Sequence, residues 1–255
     1  MKTIAIAGKG GTGKSTLSAV MVRWLSDNVS KAVLAVDADS NVNLNDLLGV
    51  DLEETVGSIR EEMKEKVQAL PGGMSKQQFL EYKIQSSIVE TPEFDLIAMG
   101  RPEGPGCYCY ANNVLRDILK TLSGNYEYVI IDNEAGMEHL SRRTAENVDC
   151  LLMISDPTAR GIRTAGKIGR MIKELDARIG EKYLIVNRIR DPLQQATMGS
   201  IDAEGLELLC AVPEDNLLFE TDRRGKPIWP VINRSNTYRL LGQALERLIG
   251  GRAAT

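Results

Sequence analysis

The stretch GKGGTGKS, Gly8 to Ser15, decides the fold. It satisfies the spacing GxxxxGK(S/T) without a gap, follows the apolar run Thr3–Ala7 and leads into the amphipathic run Ser15–Leu25. Strand, glycine loop and helix in that order form a phosphate cradle. Glycines let successive backbone N–H groups turn inward, and the start of the helix adds partial positive charge. Gly10, Gly11, Thr12 and Gly13 are therefore expected to wrap a nucleotide's phosphates, with Lys14, Ser15 and Thr16 at the head of the helix. Lys14 should reach the β- and γ-phosphates, and the Ser15 hydroxyl should hold Mg²⁺.

Outward from this loop, β-branched apolar runs recur at Ala32–Val36, Asp95–Met99, Tyr128–Asp132, Cys150–Ser155, Tyr183–Asn187 and Leu208–Val212. Near-continuous apolar character suits strands covered on both faces. Helical candidates lie between them, among them Asn112–Leu122 and Thr164–Ala177. The pattern predicts an α/β fold: a single-domain, doubly wound, mainly parallel sheet flanked by helices, over residues 1–255. Val56 to Val89 is charged, helical in part, and broken at Pro71-Gly72-Gly73.

Of 255 residues, 43% are hydrophobic, enough for a sizeable core. The formal net charge of −4 argues against an electrostatic nucleic-acid binder. No apolar run approaches the roughly 20 residues that span a bilayer, and the N-terminus lacks the shape of a signal peptide. The expected location is the cytoplasm, with neither nucleic acid nor membrane as partner. Thiols there stay reduced.

Two strands end in acids. Ala32–Val36 runs into Asp37-Ala38-Asp39-Ser40-Asn41, and Tyr128–Asp132 into Asn133-Glu134-Ala135-Gly136. Carboxylates beside a polyanion repel it unless a cation intervenes, so their placement fits a metal–phosphate site, with Asp132 bound to Mg²⁺ through water. The guanine-reading pattern NKxD is absent, which favours ATP and ADP.

The chain has four cysteines. Cys150 and Cys210 lie in or beside apolar strands and read as core residues. Cys107 and Cys109, in GPGCYCYANN, stand one residue apart. Alternate residues of an extended segment point the same way, so both thiolates can meet one ion, whereas a disulfide between them would be strained. Two thiolates make half of a four-coordinate site, and a second chain would complete it. The bland alternative is two ordinary reduced cysteines in a loop. His139, the lone histidine, is left out of this site.

The loop KGGTGKST carries a second lysine, Lys9, and resembles the deviant Walker A ATPases, which include the Min and Par proteins, nitrogenase iron protein and metal-insertion ATPases. The resemblance implies that Lys9 crosses a homodimer interface to the partner's nucleotide. It implies that Asp39 orients the attacking water and joins the Mg²⁺ site, that Asp37 supports the loop and Mg²⁺, and that Gly136 meets the γ-phosphate. Asn187, with Arg188, is implied to recognise adenine, as an amide offers donor and acceptor to a base edge. Pro213, Glu214 and Asp215 are implied to form the second base contact. Proline is frequent in the family where Ser40 stands. The CxC loop and the segment DNEAGMEHLSRRTAENVD (Asp132 to Asp149) resemble the CooC-type maturation ATPases. That implies Ni²⁺ or Zn²⁺ at Cys107 and Cys109 of a dimer, and nickel delivery to carbon monoxide dehydrogenase or acetyl-CoA synthase. Two other readings stay open: a positioning or partition ATPase without metal transfer, and a redox protein with a cluster at the CxC.

Overall fold

The structure is a computed structural model and describes residues 1–65, 75–100, 124–134, 148–174 and 179–250. Eight strands form one sheet: β1 (Lys2–Gly8), β2 (Val33–Asp37), β3 (Val89–Glu90), β4 (Asp95–Ala98), β5 (Tyr128–Asp132), β6 (Val148–Ser155), β7 (Ile179–Ile189) and β8 (Leu208–Pro213). Their order across the sheet is β3-β4-β2-β5-β1-β6-β7-β8. All neighbours pair in parallel except β3 with β4, which is antiparallel.

The helices are α1 (Lys14–Asn28), α2 (Leu44–Leu48), α3 (Val56–Glu65), α4 (Lys76–Ser86), α5 (Ala159–Glu174), α6 (Gln195–Ala203), α7 (Asn216–Arg223) and α8 (Asn236–Gly250). Alternate strand residues serve opposite faces. Ala5, Leu34, Val129, Leu151 and Leu184 pack toward Ile59 of α3 and Ile162 and Ile168 of α5. Ile4, Ile6, Ile130, Leu152 and Ile185 pack toward Leu17 and Met21 of α1 and Leu241 and Leu245 of α8. The mainly parallel sheet flanked by helices is the architecture the sequence predicts.

Two details differ from the sequence reading. Strand β3 was not expected, being two residues long at an edge. Helix α5 begins at Ala159, five residues before the expected Thr164, because Thr158 caps it: its Oγ1 accepts from Gly161 N at 3.0 Å, and Asp156 Oδ1 accepts from Thr158 N at 2.9 Å. That cap outweighs the low helix propensity of Gly161. The expected helix Asn112–Leu122 and the break at residues 71–73 lie outside the described residues.

Parallel strands share one carboxyl edge, and ligands of open α/β sheets bind where the strand order reverses. Here β1 is that strand, with β2 and β5 on one side and β6 to β8 on the other. Gly8, Asp37, Asp132, Asn187 and Pro213 all stand at that edge.

Candidate nucleotide and phosphate site

The loop after β1 is built by close approach. A Cβ on Gly8 would stand 2.3 Å from the Ile154 carbonyl oxygen of β6. Gly13 takes φ +89°, and a Cβ there would stand 2.5 Å from Asn187 Nδ2. Both positions therefore require glycine. Thr12 Oγ1 donates to the Lys9 carbonyl at 2.8 Å, and Lys14 Nζ donates to the same oxygen at 3.4 Å. Two struts arrive from β7. Asn187 Nδ2 donates to Thr12 O at 2.8 Å, and Arg188 Nη1 donates to Gly11 O at 2.7 Å. Arg188 reaches over because it sits at φ +58°, at an irregularity in the β7–β8 pairing between Asn187 and Ile189. A bulge re-aims a side chain in this way.

The carboxylates behind the loop differ in environment. Asp132 is buried at the end of β5, and its Oδ1 has no hydrogen-bond partner. Burial lifts its carboxyl to about 7, with the Ser15 and Ser18 hydroxyls and the Lys14 ammonium acting against the shift and Asp37 adding to it. Lys14 is only 8% exposed; desolvation lowers its ammonium, against the pull of Asp132, Asp39 and Glu134. Asp37 is wholly buried, pairs in register with Asp132 across β2 and β5, and is raised by burial. Its carboxylate is spent on the following segment: it accepts from the N–H groups of Asp39 at 3.0 Å and of Asn43 and Leu44, each at 2.9 Å. This clamp holds Val42 at φ +50°, a conformation that β-branched residues rarely adopt and that costs about 1–2 kcal/mol. Asp39 Oδ1 accepts from Asn41 N at 2.8 Å.

Backbone bonds tie these segments together at their roots. Ala38 N donates to Asp132 O at 2.9 Å, and Asn133 Nδ2 donates to Ile6 O at 2.8 Å. The Asn133 side chain as a tie to β1 was not read from the sequence; a polar residue directly after a buried strand was the available signal.

Mg²⁺ usually keeps several waters and takes one or two carboxylates plus phosphate oxygens. An orphaned, buried Asp132 oxygen beside Ser15 fits that need, since a cation would supply the partner it lacks. Among the described residues no cluster of three His, Cys, Asp or Glu side chains is placed to hold a metal ion by itself. Cys107, Cys109, Gly136 and His139 lie outside the described residues. Cys150 is buried in β6 with its thiol pushed up to about 12, and burial lifts Cys210 to about 11, so neither offers a thiolate near neutral pH.

Two hollows meet at the loop. One of about 770 Å³ is lined by Gly10, Lys14, Ser15, Asp39 and Lys226, and one of about 290 Å³ by Asn187, Arg190, Pro213, Glu214 and Phe219. Gly13, Thr16, Arg188 and Asp222 line both. In the smaller hollow Glu214 pairs with Arg190 Nε at 3.1 Å. The Asp215 carboxylate is committed to the fold, accepting from Leu217 N and Leu218 N at the head of α7 and from Thr237 N and Oγ1. Lys9 is exposed at the rim and has no salt bridge among the described residues.

Residues 1–185 match the AAA-domain family, AAA_31. The chain belongs to that family. It is 40% identical over 248 residues to an uncharacterized ATP-binding protein of Methanocaldococcus jannaschii, covering 96% of this chain and 98% of the relative. It is 30% identical over 261 residues to the carbon monoxide dehydrogenase accessory protein CooC of Rhodospirillum rubrum, covering 96% and 97%. In fold it is similar to the MinD cell division protein of Aquifex aeolicus, with TM-score 0.71, 22% identity and 98% of each chain covered. A ParA-family ATPase of Chlorobium tepidum gives TM-score 0.72 at 21% identity, covering 96% and 97%. The protein is an ATP-binding P-loop ATPase, similar in sequence to CooC and similar in fold to MinD and ParA-family proteins.

Loss of the β7 struts should be felt by the phosphates first. Asn187→Ala is expected to weaken ADP and pyrophosphate alike, by about tenfold, since the Thr12 carbonyl loses its partner. Calorimetric titration of both ligands checks this. A drop for ADP alone would instead make Asn187 a reader of the base.

Proposed function

We propose that this ATPase is a nickel metallochaperone. ATP and Mg²⁺ bind at the loop after β1. The γ-phosphate reshapes the segments after Asp37 and Asp132, and a homodimer closes a shared thiolate site at Cys107 and Cys109 around Ni²⁺ or Zn²⁺. Turnover then delivers nickel to a client of the carbon monoxide dehydrogenase or acetyl-CoA synthase class. The observation that carries this reading is the 30% identity to CooC along 96% of the chain, in a sequence that also holds the CxC pair.

The chain's own groups divide the hydrolysis. Attack by water on the γ-phosphorus breaks its bond to the bridging oxygen of ADP. Lys14 meets the charge on the phosphoryl oxygens, and Lys9, exposed at the rim, is free to reach a partner's nucleotide. Asp39 orients the water, while Asn187, Arg188, Pro213, Glu214 and Asp215 line the hollow for the base, Asn187 and Arg188 bracing the phosphate loop as well. Ser15, Asp132 and Asp39 would hold Mg²⁺, directly or through water, and the ion would supply positive charge against the phosphates. A membrane-bound positioning role is not favoured by α8, whose Leu241, Ala244, Leu245 and Leu248 are buried in the body of the protein.

The test is an anaerobic Ni²⁺ titration of reduced protein in ADP and in a non-hydrolysable ATP analogue, with mass by light scattering. About one Ni²⁺ per two chains is expected, with an affinity that changes between nucleotides. The Cys107→Ser/Cys109→Ser variant should lose this binding and keep ATP hydrolysis. Metal affinity and stoichiometry unchanged in that variant would sink the proposal. Iron and a brown colour after anaerobic purification would favour the redox reading, and retention on liposomes or DNA the positioning one.

A further inference from the structure

We infer that the ring of Phe219 stacks on the base of the bound nucleotide and so sets much of the preference for ADP or ATP over bare phosphates. The inference rests on the nucleotide seating proposed above. The smaller hollow and the phosphate hollow share Gly13, Thr16, Arg188 and Asp222, so a nucleotide held by its phosphates has its base at the smaller one. At about 290 Å³ that hollow lies near the small end of small-molecule sites.

Several polar groups there are engaged already. Asp215 caps α7 and holds Thr237, Glu214 is paired with Arg190, and Asn187 Nδ2 is spent on the loop. The apolar part of its wall is made by Leu17, Pro213, Leu218 and Phe219, of which Leu17 and Leu218 are buried. Phe219 is 61% exposed, the most exposed large hydrophobic side chain among the described residues, whereas Phe94 is buried against Trp229. A base laid over this ring would take apolar surface of both partners out of water, which is favourable. Every base presents a π-face whatever its edge, so stacking does not need the engaged polar groups.

The experiment measures Mg²⁺–ADP and Mg²⁺–pyrophosphate affinity of the full chain by calorimetry, for wild type, Phe219→Ala and Phe219→Trp. The exposed position lets these variants fold, which circular dichroism checks. Phe219→Ala is expected to weaken ADP by about 5- to 150-fold and leave pyrophosphate unchanged. Phe219→Trp should keep ADP affinity, and its added fluorescence should be quenched by ADP and not by pyrophosphate. A wild-type preference for ADP that survives Phe219→Ala would overturn the role of Phe219 and leave the seating intact. Parallel loss of both ligands would also overturn it, placing the effect in the loop. Equal wild-type affinities for ADP and pyrophosphate would remove the base site itself, and this inference with it.

Discussion

Replacing Lys14 by alanine is expected to cut ATP hydrolysis by about a thousandfold or more. The residue is almost fully buried, and its ammonium feels the negative charges of Asp132, Asp39 and Glu134. It is parked on the Lys9 carbonyl at 3.4 Å, a long bond that a phosphate oxygen readily replaces. Without it the acidic groups face the polyanion with no fixed cation among them. Arginine should not rescue, because a planar fork does not fit a pocket shaped around a compact ammonium. Lys9→Ala is the informative contrast. Lys9 is exposed, so ADP affinity should hold within about twofold, while hydrolysis falls and loses its dependence on protein concentration. Phosphate release followed over a range of chain concentrations reads both variants. Near-wild-type turnover in Lys14→Ala would remove the loop from the chemistry.

Asp132→Asn should stabilise the protein in the absence of metal and nucleotide, and abolish Mg²⁺-dependent turnover. In the unfolded chain this carboxyl titrates near 3.8, and in the folded chain at about 7. Between those values the native state keeps a proton that the unfolded state has lost. Stability therefore falls as pH rises through that window, and the full penalty stands above it. The displacement corresponds to at most ~4 kcal/mol. Asparagine keeps the shape and carries no charge, so the penalty disappears. In chelator, the Tm of the variant at pH 8 should exceed wild type by roughly 5–10 °C, with a much smaller difference at pH 4. Mg²⁺ with ADP should close the gap by stabilising wild type more. A variant less stable than wild type at pH 8 would show that the buried carboxylate is already compensated within the fold.

Much of this architecture was legible because it is local. Seven apolar runs became the seven parallel strands, since burial on both faces leaves a continuous apolar signature. Strand β3 left none: two residues cannot display a period, and their pairing with Leu96 and Asp95 is decided by the neighbour. The loop Gly8–Ser15 was legible for the same reason as the strands, being one contiguous motif. What its neighbours do was less so. An aspartate at a strand end looks alike in sequence whether it faces a metal or, like Asp37, clamps the next turn of backbone. Asp215 poses the same ambiguity, with its carboxylate taken by α7 and Thr237. Phe219 gave no signal, because an aromatic on a short amphipathic helix ordinarily belongs to a core.

The struts from β7 bear on how such a domain can be cut or recombined. Asn187 and the Thr12 carbonyl are 175 positions apart, and Arg188 and Gly11 are 177. A transplant of β1, its loop and α1 into another sheet would carry the glycines, Lys14 and Ser15. Yet the Gly11 and Thr12 carbonyls would turn to water, and the loop would sample conformations the intact chain forbids. Phosphate binding here is thus not a portable module of its first 28 residues. A chimera or split version keeps it only if the seventh strand travels along.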